Sequence, residues 1–366
     1  MDNRERFLKI MAGEMPDRLC AVHFGYWKEL LAEWEEQGHI SHEMATLAED
    51  GNEWDKVLDK LLGWDFCYTS NWCVNTGLDP WLEEKVLKTE GDGEYVSDCV
   101  GVVHYKKKSC NSIPVEVDYL LKDRKAFEEV FKPRMRFEPK RFSKEQAEKL
   151  NREWDVPKGL FVGSAFGEIR NMLTVIGMSY MMCDDYDLLK EITYTYQDMQ
   201  YQGVKYVLDQ GIKFDFMHYW EDICFKNGPL ISPDMFDDLT SRHYRRMSEL
   251  AAKHDIPYIS VDCDGDISKL VPLWADYGVN VMFPIEYGTW QGDIAKIRKI
   301  ADLKGVGGMN KEVLRRDKEA VKKEVERLKP LIAMGGYVPC PDHRLVPGTK
   351  WELVQYYTDL IKNIKF

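Results

Sequence analysis

After about residue 157 the chain alternates between short apolar runs and longer stretches whose apolar positions recur every three or four residues. A short apolar run bounded by helical periodicity reads as a strand buried on both faces, the pattern of a parallel sheet covered by helices. Strands are predicted at Gly159 to Ala165, Phe214 to Tyr219, 256–261, 279–285, 305–308 and 336–339. Helices are predicted at 167–177, 186–210, 233–253, 267–277, 291–302, 311–328 and 350–364. That many βα units, without a Gly-x-Gly-x-x-Gly turn to mark a dinucleotide-binding half, favours a closed (β/α)8 barrel over an open doubly wound sheet.

The first part of the chain is less regular. Arg4 to Met11 has helical spacing and stops at the Gly13 and Pro16 breakers, ahead of the apolar segment Leu19 to Phe24. Residues 27–61 read as helices, and 64–118 alternate in the manner of strands. Within that stretch, Val102-Val103-His104-Tyr105 and Pro114-Val115-Glu116-Val117 are expected to pair in a small antiparallel sheet. The expected architecture is α/β, a single domain over 1–366. Residues 1–156 supply an N-terminal helical and antiparallel extension with the first barrel elements, and 157–366 supply the regular repeats.

Composition narrows the functional classes. A formal charge of -12 argues against a nucleic-acid surface, because phosphate recognition needs clustered cations. The basic runs Lys106-Lys107-Lys108 and Arg242-His243-Tyr244-Arg245-Arg246 are bounded by acidic sequence and read as solvated faces. No apolar stretch approaches the ~18 residues of a membrane span, and the N-terminus has no apolar signal core, so a cytoplasmic protein without membrane contact is expected. The nine cysteines are scattered without Cys-x-x-Cys pairs, which suits reduced thiols.

The chemistry-bearing residues follow the apolar runs. Glu221-Asp222 comes after Phe214 to Trp220, Asp262-Cys263-Asp264 after 256–261, Glu286 after 279–285, and Asp342-His343 after Tyr337-Val338-Pro339. In a β/α barrel the C-terminal strand ends share one crevice, so these groups are expected to converge. Thiolate, imidazole and carboxylate together form a zinc-type ligand set. The expected metal ligands are Cys263, Glu286, His343 and Asp262, with His218 as an alternative contact and Cys340 as a rival to His343. Glu221, Asp222, Asp264 and His343 are candidates for acid/base catalysis; Arg170, His218, Trp220 and Tyr26 for substrate binding.

Each candidate has a structural alternative. Cys263 can be a small packed residue and His343 a locally bonded turn residue. Glu286 can form a salt bridge, and Glu221-Asp222 can cap a helix. Arg170 can anchor an anionic group or pair with an acid such as Glu168. The aromatic residues Tyr26, Trp27, Trp72, Trp81, Tyr219 and Trp220 can line a cleft or be ordinary core.

Several segments carry a resemblance in order along the chain: Arg4-Glu5-Arg6-Phe7, Gly13-Glu14-x-Pro16-Asp17-Arg18, Phe166-Gly167-x-x-Arg170, and Glu221-Asp222 followed by Gly228-Pro229-Leu230-Ile231-Ser232-Pro233-x-Met235-Phe236. They continue with Asp264-Gly265-Asp266-Ile267, Gly307-Gly308-Met309-Asn310-Lys311 and Gly335-Gly336-Tyr337 leading to Asp342-His343-Arg344-x-x-Pro347. In these the chain resembles the uroporphyrinogen decarboxylase superfamily, which includes zinc- and corrinoid-dependent methyltransferases. The resemblance implies a (β/α)8 barrel.

True decarboxylases of the family carry an arginine-rich motif of the MRQAGR type, and nothing like it follows Phe24-Gly25-Tyr26-Trp27. The methyltransferase branch looks closer. Its zinc is held by an H-x-C pair, a Glu in some members and a late Cys. Cys263 matches the pair's Cys, Glu286 the Glu, His343 falls near the late Cys, and Val261 stands at the His position.

The resemblance therefore implies a zinc-assisted methyltransferase. It would act on a small molecule, with a corrinoid presented by a partner protein, transferring methyl to a thiol or tetrahydrofolate, as in O-demethylation. The alternatives are a metal-independent decarboxylase or lyase of a non-porphyrin acid using Arg170, Asp264 and His343, and a non-catalytic ligand-binding barrel. A dimer is the expected form for any self-association.

Overall fold

In the computed structural model, which describes residues 1–107, 114–143, 145, 148 and 154–364, the parallel strands form a barrel wall with helices outside. The basic run at 106–108 extends past these residues at Lys108. Strands β1 (Val22–His23) and β2 (Phe66–Cys67) pair in parallel, and β3 (Trp72–Cys73) continues the wall after β2. Then comes an antiparallel excursion of β4 (Lys85–Glu90), β5 (Gly93–Ser97), β6 (Val102–Lys107) and β7 (Val115–Tyr119). The expected partnership is there, with His104 opposite Glu116 and Tyr105 opposite Val115.

The wall resumes with β8 (Gly159–Phe161) and β9 (Phe216–Trp220). A short hairpin of β10 (Cys224–Phe225) and β11 (Gly228–Pro229) follows, then β12 (Tyr258–Asp262), β13 (Val281–Phe283), β14 (Lys304–Met309) and β15 (Tyr337–Pro341). The long sheet runs β15-β14-β13-β12-β9-β8-β3. Its ladder does not run continuously into β1. The residues after β1 and after β15 are joined instead by an isolated parallel bridge of Tyr26 with Leu345, in which Trp27 donates to the Leu345 carbonyl and Leu345 to that of Gly25. The fold is the (β/α)8 barrel expected from the alternation.

Side chains alternate across the strands, so every second residue fills the barrel. Tyr68 stacks on Phe216 with centroids 5.3 Å apart and also meets His218 and Phe283. Phe24 lies 4.5 Å from Phe283. The first helix, Asn3–Met11, opens with an Asp2/Glu5 capping box and sets Phe7 against Phe66, Tyr68 and Phe216.

Helix ends differ from the periodicity where polar side chains set them. Helix Val271–Asp276 starts later than expected, after a turn in which Asp266 takes the Ser268 amide and hydroxyl. The expected helix at 291–302 is confined to Ile294–Arg298 by the Asp293 cap, and Asp317 caps Lys318–Ile332. Helix Gly167–Asp184 outruns its prediction across a kink at Thr174, whose φ is 59°. Among the described residues no helix is long and apolar enough to cross a membrane.

Candidate active site at the barrel mouth

Strand ends deliver an acidic cluster. Asp262 ends β12, Asp264 lies two residues on, Glu286 follows β13, and Asp222 follows β9. Asp222 and Ile285 both have positive φ, 46° and 55°. For a β-branched residue such as Ile285 this is a strained conformation of the kind that collects at functional sites.

The carboxylates are tied together through backbone amides. Asp222 Oδ1 accepts from the Asp264 amide at 3.2 Å, and Glu286 Oε2 from the Gly265 amide at 2.6 Å. Asp264 Oδ2 lies 3.3 Å from His343 Nε2, while its Oδ1 is buried without a partner. His343 packs at a tilt against Phe24 and stacks on Trp27. Asp262 is 6% exposed and its carboxylate makes no hydrogen bond or ion pair among the described residues.

Neighbouring carboxylates in a dry setting cannot all ionise. Burial, then the charges of Asp264 and Asp222, push Asp262 well above the usual carboxylate range, with Arg344 pulling the other way. Burial and Asp264 likewise raise Asp222 and Glu286.

The nearby cations are committed. Arg170 donates to the Asp222 carbonyl at 2.8 Å, lies 3.9 Å from Asp222 Oδ2, and covers the Trp220 ring. This is the structural alternative considered for Arg170, with Asp222 as the acid. Arg344 forks onto Asp50, which also accepts from Thr69. Burial would raise Asp50, but the bond and charge of Arg344 outweigh it and hold the carboxyl below its usual range. Asp342 braces the loops through the Tyr287, Gly288 and Lys311 amides.

Other expected site residues lie elsewhere. Glu221 is fully buried and faces helix Gly167–Asp184. Its carboxylate accepts from the amides of Ala165, Phe166 and Gly167 and from the hydroxyls of Ser164 and Tyr244. That helix has no side-chain cap of its own, so Glu221 supplies the negative charge its N-terminus favours. His218 lies inside the barrel, bonded to Ser260, and burial drives its pKa down to about 3. Tyr26 packs on His23 and Trp34.

The expected zinc ligands are not assembled. Cys263 is buried beside Cys224 and directs its thiol to the Asp264 carbonyl; burial and Cys224 push that thiol well above its ordinary range. Glu286 and His343 turn to Gly265 and Asp264. Among the described residues, one group of His, Cys, Asp or Glu side chains has all its ligand atoms within 4.8 Å of one another: His23, Asp55 and Cys67. This candidate metal site lies in the wall, between β1, β2 and helix Glu53–Leu62. Sequence reasoning missed it, although Asp55 and Asp59 share a face with the buried Leu58 and Leu62, and carboxylates on an apolar helix face are a readable signal.

Barrel topology and an acid-lined mouth at the strand ends define an α/β barrel with the site geometry of an enzyme. Residues 107–364 match the family described as "Uroporphyrinogen decarboxylase (URO-D)", and the chain belongs to that family. No curated protein matches the chain. Among solved structures, a methyltransferase from Methanosarcina mazei aligns at 15% identity and a TM-score of 0.60, covering 99% of this chain and 98% of its own. A putative vitamin-B12 independent methionine synthase from Listeria monocytogenes aligns at 13% identity and a TM-score of 0.41, over 96% of this chain and 100% of its own.

Proposed function

We infer that the protein is a cytoplasmic methyltransferase moving a methyl group between a corrinoid protein, or a small methylated compound, and an acceptor such as a thiol or tetrahydrofolate. The observation that carries this reading is the unpartnered, buried Asp262 among Asp222, Asp264 and Glu286 at the mouth. An anionic acid would need free guanidinium forks there, and both Arg170 and Arg344 are engaged. The solved methyltransferase that shares the fold over its whole length supports the same reading.

A corrinoid, when bound, would act as donor or acceptor of the methyl group. Asp262, whose burial and acidic neighbours favour its neutral form, donates a proton to the leaving oxygen of a small methylated compound. Where the acceptor is a thiol, the Asp264–His343 pair takes the thiol proton as sulfur bonds to the methyl carbon and the bond from that carbon to its donor breaks, the electron pair leaving with the donor. His343, about a quarter exposed, passes that proton to solvent. Trp27 and Phe24 hold its ring in place. Zinc would activate an acceptor thiol at such a mouth, but Cys263, Glu286 and His343 are separately committed, so proton transfer falls to the carboxylates.

Methylcobalamin, standing in for the corrinoid protein, with 2-mercaptoethanol as acceptor tests this directly. The expected result is enzyme-dependent methyl thioether, detected by mass spectrometry and lost in Asp264→Asn. No transfer to thiol or tetrahydrofolate, together with carbon dioxide release from a panel of carboxylic acids, would replace this reading with the metal-independent decarboxylase. Absence of both reactions with retained small-molecule binding would leave a non-catalytic barrel.

A further inference from the structure

Strand register sets up the wall cluster. His23 and Cys67 are parallel partners in β1 and β2, so their side chains leave the same face. Phe24 and Tyr68, one residue on, point into the barrel and meet Phe283. The pair His23 and Cys67 therefore faces outward, onto helix Glu53–Leu62, where Asp55 and Asp59 lie one turn apart on the same side. His23 is wholly buried, and Asp55, Cys67 and Asp59 are 1%, 5% and 8% exposed.

Among the described residues His23, Asp55 and Cys67 make no hydrogen bond to one another, although their ligand atoms lie within 4.8 Å of one another. His23 Nε2 pairs with Asp59 Oδ1 at 2.8 Å. The Tyr26 hydroxyl and Trp64 Nε1, on rings packed against His23, face each other beside it.

We propose that His23, Asp55 and Cys67 hold a zinc-class divalent cation that fastens β1 and β2 to helix Glu53–Leu62, with Asp59, 2.8 Å from His23 Nε2, as the adjacent carboxylate. A thiolate, an imidazole and a carboxylate form a borderline-soft donor set, and their burial in the wall, away from the mouth, suits a structural site. Binding has consequences for the surroundings. The Gly25 amide donates to His23 Nδ1 at 3.0 Å. Coordination through Nε2 places the ring proton on Nδ1, so that amide has to turn away, which Gly25 at φ +94° is suited to do. The thiol proton of Cys67 leaves with the metal's arrival.

The same ion would stiffen the approach to the mouth. Asp55 Oδ2 accepts from the Gly51 amide, and Thr69, bonded to the Cys67 sulfur, donates to Asp50, the partner of Arg344. The cation is thus a positioning element for Arg344, separate from the chemistry proposed at the mouth.

The test uses the full chain purified without a metal-affinity tag, stripped and reloaded with cobalt(II), alongside elemental analysis of the protein as purified. One equivalent of bound metal is expected, with a thiolate-to-cobalt charge-transfer band that Cys67→Ser abolishes and Cys263→Ser leaves intact. Asp59→Asn is expected to weaken binding by at least about tenfold. Circular dichroism confirms that the variants fold. Failure to bind one equivalent of zinc or cobalt would overturn the site and leave His23 and Asp59 as a proton-sharing pair. A band kept in Cys67→Ser and lost in Cys263→Ser would overturn it in favour of the mouth, while leaving the methyl-transfer reading to its own assay.

Discussion

The mouth and the wall hold similar side chains, yet the structure treats them in opposite ways. At the mouth, Asp264 and His343 keep about a third and a quarter of their side-chain surface exposed, and Asp262 sits just beneath them. In the wall, His23, Asp55, Asp59 and Cys67 are sealed between two strands and a helix. Proton exchange needs a route to water, whereas holding an ion needs donors that stay fixed. Access therefore divides proton-moving chemistry from ion-holding chemistry more sharply than residue type does.

Exchanging the two aspartates strains this comparison most. Asp262→Asn is expected to lower methyl transfer by about 100-fold or more while leaving metal content unchanged. Asp55→Asn is expected to empty the wall site. Steady-state kinetics and elemental analysis on both variants check the pair of outcomes, and metal loss in Asp262→Asn would merge the two regions into one site.

Glu221 offers a third environment, a carboxylate that is buried and fully bonded. Replacing it by Gln puts an amide donor against amides that already donate, so a stability loss of about 2–3 kcal/mol is expected in urea unfolding. A loss near zero would mean the Gly167–Asp184 helix does not depend on its external cap.

The smallest effect concerns pH. His218 has its folded-state pKa lowered to about 3, below the ordinary 6.5, by burial. The unfolded chain therefore binds the proton more tightly. The stability is intact above about pH 6.5 and is lost as pH falls toward the folded-state value. Between about pH 6.5 and pH 5 this amounts to about 2 kcal/mol, absent from His218→Gln, as unfolding curves at the two pH values would measure. An unchanged difference between the proteins would place His218 in contact with water.

Much of the barrel was legible because a strand buried on both faces leaves an uninterrupted apolar run. Helix 233–253 was readable to the residue, since Ser232 caps it and Pro233 opens it. The β4–β5 hairpin escaped notice because every residue of β4 is exposed and no buried face disciplines its pattern. At the site, residue types at the strand ends were readable. Their partners were not, because each carboxylate's donor belongs to a loop whose path depends on the closed barrel. Glu221 and Asp222 are neighbours in sequence, yet one serves a helix terminus and the other the mouth. Cys67 gave no sign in isolation, its meaning resting on a helix folded across it.

The seam at Tyr26 and Leu345 also bears on how the protein is made. Translation releases β1 long before residue 345, so the edge of β1 facing the seam has no mate while most of the chain is still being synthesised. Arg344 reaches Asp50 across 294 positions. A ribosome that stops short of residue 344 leaves a chain able to build the β12 end that carries Asp262 but lacking the partner that clasps Asp50. Truncation at the C-terminus would reach the wall first, because helix Trp351–Lys362 covers helix Glu53–Leu62 and Trp64 through Gln355, Thr358 and Tyr357, and the mouth next, with the loss of Arg344.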